Sequence, residues 1–181
     1  MRERVFIDGT KVYLRALVKG DLEGNYVHWF DDEEVCRNNS HHRFPYSLEQ
    51  LDEYISVANS SKNRLVLAVI HKDDKVHIGN ISLQDIDYIN RTAEIAFILG
   101  EKQYWGMGYM REAGKLIITH GFNSLNLNRV YCGTFSSNVG MQKLASTLGF
   151  KEEGRRREAV FKNNQYVDII EYGLLKSEWR I

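Results

Sequence analysis

The segment Gln103-Tyr104-Trp105-Gly106-Met107-Gly108 sets two glycines one residue apart, between a strongly apolar run and the start of a helical pattern. Glycine lets the backbone approach a ligand closely and adopt conformations closed to other residues. The first N–H groups of a helix point, unpaired, into whatever fills the loop before it. That arrangement suits a pair of phosphates. The same glycines would serve a plain tight turn from strand to helix, and a GxG spacing does not choose between the two. It does narrow the ligand. No GxxxxGK[ST] string is present, and the dinucleotide fingerprint is broken by Arg111, so an anion held here need be neither ATP nor a nicotinamide cofactor.

Glu94 is the second chemical signal, an acid inside the apolar string TAEIAFIL just before that loop. Burial raises a carboxyl pKa towards the working range of a general base, and strand alternation groups Glu94 with Ala96 and Ile98 on one face. A buried hydrogen-bond partner between strands is the alternative role, with Glu171 and Asp168 of the closing hairpin as weaker candidates for a base and no protein base needed if the reacting group arrives neutral. Cys132 has no histidine or acid suitably spaced for a nucleophilic chain and reads as a core thiol. His41-His42-Arg43 and Arg155-Arg156-Arg157 could meet an anionic acceptor. The histidines lack a third ligand for zinc, and Glu152, Glu153 and Glu158 largely cancel the arginines.

The elements that must position these groups follow from periodicity. Residues 12–17 read as a strand, followed by a helix opened by Asp21 with Leu22, Tyr26 and Trp29 at helical spacing. Residues 31–46, with the single proline, form a loop region. Ser47 and Gln50 then have the form of a capping box ahead of Leu51, Ile55 and Ala58. Residues 64–70 and 76–83 make a hairpin around HKDDK, and residues 93–99 a strand buried on both faces. A helix follows Gly108 and frays at Gly121. Then come a strand over 129–135, a helix over 139–148 stopped by Gly149, and a closing hairpin around KNNQ. This order predicts an α/β, mixed and mostly antiparallel twisted sheet with helices on both faces, in one domain spanning 1–181.

Composition sets the outer limits. At 181 residues, 43% hydrophobic and 27% charged, the chain has the profile of one ordinary globular domain. Twenty-four basic residues against twenty-four acidic ones leave no global field for nucleic acid or an anionic membrane. The start, MRERVFIDG, lacks the apolar stretch of a secretory signal, and no run approaches spanning length. Cys36 and Cys132 are too far apart for a CxxC metal or redox pair. The expectation is a cytoplasmic protein, monomer or homodimer, with no metal, nucleic-acid or membrane partner.

Gln103-x-x-Gly106-x-Gly108 resembles the Q/R-x-x-G-x-G/A signature of the GNAT superfamily of N-acetyltransferases, and YWGMGYMREA is similar to strings of its ribosomal-protein-alanine acetyltransferase branch. The resemblance continues through Asn138 to LGF at residues 148–150 and to YVDIIEYGLLKSEW at the C-terminus. It implies a fold with a splayed pair of central strands and acetyl-CoA as acyl donor. The donor's pantetheine arm would lie against the backbone of Phe97, Ile98 and Leu99. Its phosphates would be held by Gln103 and by Tyr104, Trp105, Gly106, Met107, Gly108 and Tyr109. Asn138 would contact the pantetheine, cap a helix, or do both. An amine would attack the acetyl carbonyl directly, with an amide near Ile98 stabilising the oxyanion and Glu94 as the catalytic group. The chain departs from the family at Met141 and Ala145, where serine or tyrosine would supply a proton. Ser146, Tyr131 or water are the stand-ins. The acceptor is a small-molecule amine or a peptide N-terminus, with HHR and RRR leaning towards a nucleotide-linked amino sugar. Protein N-terminal acetylation and a non-catalytic acyl-CoA-binding role are the alternatives.

Overall fold

Eight strands form one sheet in the order β1-β2-β3-β4-β5-β6-β8-β7. The computed structural model describes residues 4–180. The strands are β1 (Ile7–Asp8), β2 (Val12–Ala16), β3 (Leu65–His71), β4 (His77–Asp87), β5 (Thr92–Leu99), β6 (Arg129–Phe135), β7 (Lys151–Lys162) and β8 (Gln165–Leu175). Every neighbouring pair is antiparallel except β5–β6. The helices are α1 (Leu48–Ser60), α2 (Tyr109–Asn123) and α3 (Val139–Thr147). This is the mixed, mostly antiparallel twisted sheet flanked by helices that the sequence predicts.

Alternation along the strands divides the interior into two layers. Ala93 and Ile95 face α2 and join Leu14, Ile81, Ile117 and Phe122 in one cluster, while Ile98 points the other way, towards Tyr26, Trp29, Leu51 and Ile55. Fully burying an aliphatic chain such as Ile117 stabilises by roughly 1.5–3 kcal/mol, so the apolar face of α2 contributes strongly to holding this helix against the sheet. α1 begins where the capping box places it: the Ser47 hydroxyl accepts from Gln50 N–H at 3.2 Å and the Gln50 side chain accepts from Ser47 N–H at 2.9 Å. Gly149, at φ +89°, ends α3 in the left-handed conformation.

Several expectations need correcting. In place of a helix opened by Asp21 there are two 3-10 turns, Lys19–Glu23 and Asn25–His28, because extended Gly24 (φ −99°, ψ −164°) interrupts them. The Asp21 carboxylate is drawn to Val18 N–H at 2.9 Å and to Arg15 at 2.6 Å. β4 continues past Leu83 to Asp87 through a bulge. β5 is not buried on both faces: only Ala93 and Ile95 are fully buried, while Glu94 and Ala96 on the other face, and the last three residues Phe97 to Leu99, are partly covered. Gly121 lies buried inside α2 and does not mark a frayed end. At the sheet's edge, β7 is exposed almost throughout and breaks register twice, between Glu152 and Gly154 and between Arg156 and Val160.

Candidate active site

The parallel pair at the centre of the sheet comes apart. β5 and β6 are in register only at Thr92–Arg129, Ala93–Val130 and Glu94–Tyr131, yet β5 runs on to Leu99 and β6 to Phe135. Each keeps its outer partner, β4 or β8, over that stretch, so a gap opens between two otherwise intact walls. Gly100 N–H donates to Ile78 O at 3.0 Å, which aims the amides of β5 at β4 in that register. By alternation Ile98 shares this direction, and the main-chain groups of Phe97 and Leu99 face the gap. The amide expected near Ile98 therefore belongs to its neighbours. Leu99 O already accepts from the Trp105 indole at 2.9 Å, which leaves its N–H and both groups of Phe97 open.

At the mouth of the gap the chain turns through a short 3-10 segment, Lys102–Tyr104, into the glycine loop. Gly106 and Gly108 take φ +75° and +84°, and a Cβ on either would meet nothing within 4 Å. The glycines are required by backbone conformation, and the space above them is open. Tyr104 N–H is used by Glu101 O and Trp105 N–H by Lys102 O. From residue 106 to 111 the N–H groups have no acceptor among the described residues, and Glu112 N–H closes the first helical bond on Gly108 O. Such a run of free donors at a helix start has the donors and the dipole that suit an anion, the chemistry of a phosphate cradle.

Two aromatic groups bracket the loop. The Tyr104 side chain is buried, away from the cradle, and its hydroxyl donates to Asp74 at 2.7 Å. His71 Nδ1 lies 3.0 Å from that carboxylate and its Nε2 3.0 Å from the Tyr109 hydroxyl. The β3–β4 turn thus pins both ends of the glycine loop. HKDDK read as a turn alone carried no sign of this. Gln103 and Met107 stay exposed.

On the opposite wall, Asn138 caps α3: its side-chain oxygen accepts from Met141 N–H at 3.0 Å, and its Nδ2 donates to Asn38 O at 3.3 Å. Glu94 stands at the vertex of the gap, opposite Tyr131. Burial, then the charges of Asp85 and Glu171, raise its pKa above the usual carboxylate value, with Arg156 opposing. Asp85 reaches this region through the β4 bulge, at φ +47°, and Glu171 pairs in register with exposed Gly133. Asp85 carries no signal in the sequence and Glu171 only a weak one, since a bulge and a cross-strand register are needed to bring them to Glu94.

The remaining candidates fall elsewhere. Ala145 is fully buried, Met141 packs against the core, and Ser146 is exposed on α3, whereas Tyr131 shares the vertex with Glu94. Cys132 is buried, and desolvation pushes its thiol up to about 12. Most of the arginines in the basic runs are engaged: Arg155 pairs with Asp168 at 3.2 Å, Arg156 with Glu171 at 2.5 Å, and Arg43 donates to Phe161 O at 3.0 Å. No helix among the described residues is long and apolar enough to cross a membrane.

Comparison with known proteins corrects the expected branch. YdaF of Bacillus subtilis, provisionally named a ribosomal N-acetyltransferase, is 37% identical over 101 residues, which is 56% of this chain and only 55% of that relative. A spermidine N(1)-acetyltransferase of Vibrio cholerae is 29% identical over 172 residues, 94% of this chain and 96% of its own length. The crystal structure of a spermidine N-acetyltransferase from Vibrio cholerae in complex with CoA and spermine superposes with a TM-score of 0.85 at 26% identity, covering 94% of this chain and 98% of that one. End-to-end likeness thus runs to the spermidine enzymes and not to the ribosomal-protein-alanine branch. YWGMGYMREA misled because it covers the glycine loop and the start of α2, away from the vertex of the gap, and says nothing about the acceptor. The family model described as an acetyltransferase (GNAT) domain matches residues 11–151, most of the chain, and the protein accordingly belongs to the GNAT acetyltransferase family.

Proposed function

We propose that residues 1–181 act as one acetyl-CoA-dependent N-acetyltransferase domain whose acceptor is a primary amine of a small polyamine. The observation that carries the acceptor class is the gathering of acids where β5 and β6 part: on top of burial, Asp85 beside Glu94 raises its pKa, and Glu171, shared with Arg156, adds to it. A polycation is what such a surface favours, and like charges relieved by a bound ammonium turn repulsion into affinity. The end-to-end relatives that act on spermidine support the same class. The lean towards an anionic amino sugar loses its basis, because Arg155 and Arg156 already have carboxylate partners.

In this reading the donor's phosphates rest on the N–H groups of residues 106–111, and its pantetheine lies along Phe97 and Leu99 in the gap. One of those two amides, held rigid by the sheet, meets the oxyanion that develops as the amine attacks the acetyl carbonyl. Glu94 takes the proton of the incoming ammonium, directly or through water. The C–N bond forms, the C–S bond breaks, and the second amine proton passes by way of Tyr131 or solvent to the departing thiolate. Asn138 caps α3 and braces the second wall.

The test is release of free CoA thiol from acetyl-CoA with spermidine, spermine, a nucleotide-linked amino sugar and a peptide N-terminus as separate acceptors. Turnover with the polyamines alone is expected. Turnover confined to the sugar or the peptide would refute the acceptor class, and tight CoA binding without turnover on any of them would refute catalysis.

A further inference from the structure

Residues 25–43 reach both walls of the β5–β6 gap. On the β5 side, Asn25 Nδ2 and Trp29 Nε1 donate to the same Glu101 oxygen, at 2.6 and 2.9 Å, and Lys102 meets Asp32 at 2.8 Å. On the β6 side, Asn38 accepts from Ser137 Oγ at 3.1 Å and from Asn138 at 3.3 Å. The segment therefore spans the mouth of the gap, across which donor and acceptor must meet.

These ties are unequal. Lys102 is exposed and Asp32 only partly covered, and such pairs contribute little. The Asn38 contacts are longer and lie beside exposed Ser137. Glu101 is buried, and among the described residues no cation stands within ion-pair distance of it, so the Asn25 and Trp29 donors hold its charge. The Trp29 ring also lies directly on Gly100, where an added Cβ would fall 1.9 Å from Trp29 Cδ2. Glu101 is bound in two directions at once. Its side chain belongs to the 25–43 segment, while its carbonyl accepts from Tyr104 N–H at 3.0 Å and so starts the turn that leads into the glycine loop.

We propose that Glu101 is a positioning residue that couples the segment 25–43 to the phosphate cradle, so that filling the cradle orders the acceptor side of the mouth. It rests on the reading of the glycine loop as the donor site. The state of the cradle fixes the Lys102–Tyr104 turn, the turn fixes Glu101, and Glu101 fixes Trp29 and Asn25. Reciprocity then requires that ordering the segment strengthen donor binding by the same factor.

The experiment is amide hydrogen exchange of peptides covering 30–43, with and without saturating CoA, on wild type, Glu101→Ala, Glu101→Gln and Trp29→Phe, with CoA binding followed separately by calorimetry. In wild type CoA should slow exchange there by about tenfold, within the usual range of coupling factors. Glu101→Gln keeps an acceptor oxygen and should behave as wild type, whereas Glu101→Ala should bind CoA with a response below about twofold on the same scale. Trp29→Phe, which keeps a ring on Gly100 but loses the donor, should fall between them and carries the test if Glu101→Ala does not fold. A full response in Glu101→Ala or Trp29→Phe, or none in wild type that binds CoA, would overturn the coupling. Failure of wild type to bind CoA would overturn the donor site itself, and calorimetry separates that result from the others.

Discussion

Gly108→Ala tests the phosphate cradle most directly, because its two effects can be separated. Gly108 sits at φ +84° with nothing within 4 Å of a Cβ, so alanine would clash with no protein atom. The cost to the fold is then the left-handed conformation alone, about 1–2 kcal/mol, or a loss of roughly 2–8 °C in Tm at this size. The cost to binding differs in kind, since the methyl group projects into the open space where phosphate oxygens would sit. Losing one hydrogen bond to a charged group there, about 1.5–3 kcal/mol, raises the Kd for CoA roughly 10- to 150-fold. Gly149→Ala supplies the control. Gly149 has φ +89°, its Cβ would find only Leu174 Cδ1 at 3.8 Å, and it lies outside the cradle. Both variants should melt lower by similar amounts in differential scanning calorimetry, and only Gly108→Ala should weaken CoA in isothermal titration. Equal CoA affinity in the two folded variants would refute the cradle.

Asn138→Ala removes a cap and should lower stability by about 0.5–2 kcal/mol in thermal melts. Asn138→Asp should keep the cap and recover most of that loss; if it also recovers the KM for acetyl-CoA, Asn138 acts only as a cap. For Glu94, whose pKa is raised by burial and by Asp85 and Glu171, wild-type turnover should fall as pH drops through that raised value. Glu94→Gln should lose this acid limb and run about 10²- to 10⁴-fold slower with CoA affinity kept, and an unaltered pH profile would exclude Glu94 as base. Asp21 shows the opposite sign: burial alone would raise its pKa, but Arg15, His77 and the Val18 N–H hold it well below the ordinary range. Its contribution is complete above the unfolded carboxylate value of about 3.9 and is lost as pH falls below it. Asp21→Asn should destabilise by about 3–5 kcal/mol at neutral pH in urea unfolding, and a change under 1 kcal/mol would refute that role. Cys132→Ala should retain turnover, and the wild-type thiol should resist alkylation at neutral pH in the folded state.

What could be read in advance was whatever local periodicity and turn chemistry encode. Ser47 and Gln50 announced α1, Gly149 announced the end of α3, and the alternation in TAEIAFIL sorted Glu94 and Ile98 from Ala93 and Ile95. The failures share a cause. Asp21 looked like a helix cap, but its carboxylate is committed to Arg15, a partner on a strand, and Gly24 stops the helical turns. The tie between Glu101 and Trp29 spans 72 positions, that between Asn38 and Asn138 spans 100, and neither leaves a trace in local pattern. The arginine run suggested an anion site because Asp168 and Glu171, which neutralise it, lie on the paired strand β8. Even the direction of an amide on β5 required the register with Ile78. Local chemistry named the elements, and pairing across the sheet decided which side chains share a site.

The two ends of the sheet bear on how the protein behaves when crowded with its own copies. A strand on a sheet's border carries unpaired amides and carbonyls that a second molecule can extend, which is how edge-to-edge aggregation begins. At one border the outermost strand, β1, is only two residues long, too short to template another. At the other, β7 is long, but its two register breaks and the left-handed residue Glu158 (φ +48°) deny an incoming strand a straight ladder, and Lys151, Glu152, Glu153, Arg155, Arg156, Arg157 and Glu158 line it with charged, hydrated side chains of both signs. The run that first suggests an anion site thus lies where a second molecule would dock: replacing Arg155 and Arg157 with threonine, while keeping Arg156 on Glu171 beside Glu94, should make the folded protein more prone to precipitate on concentration.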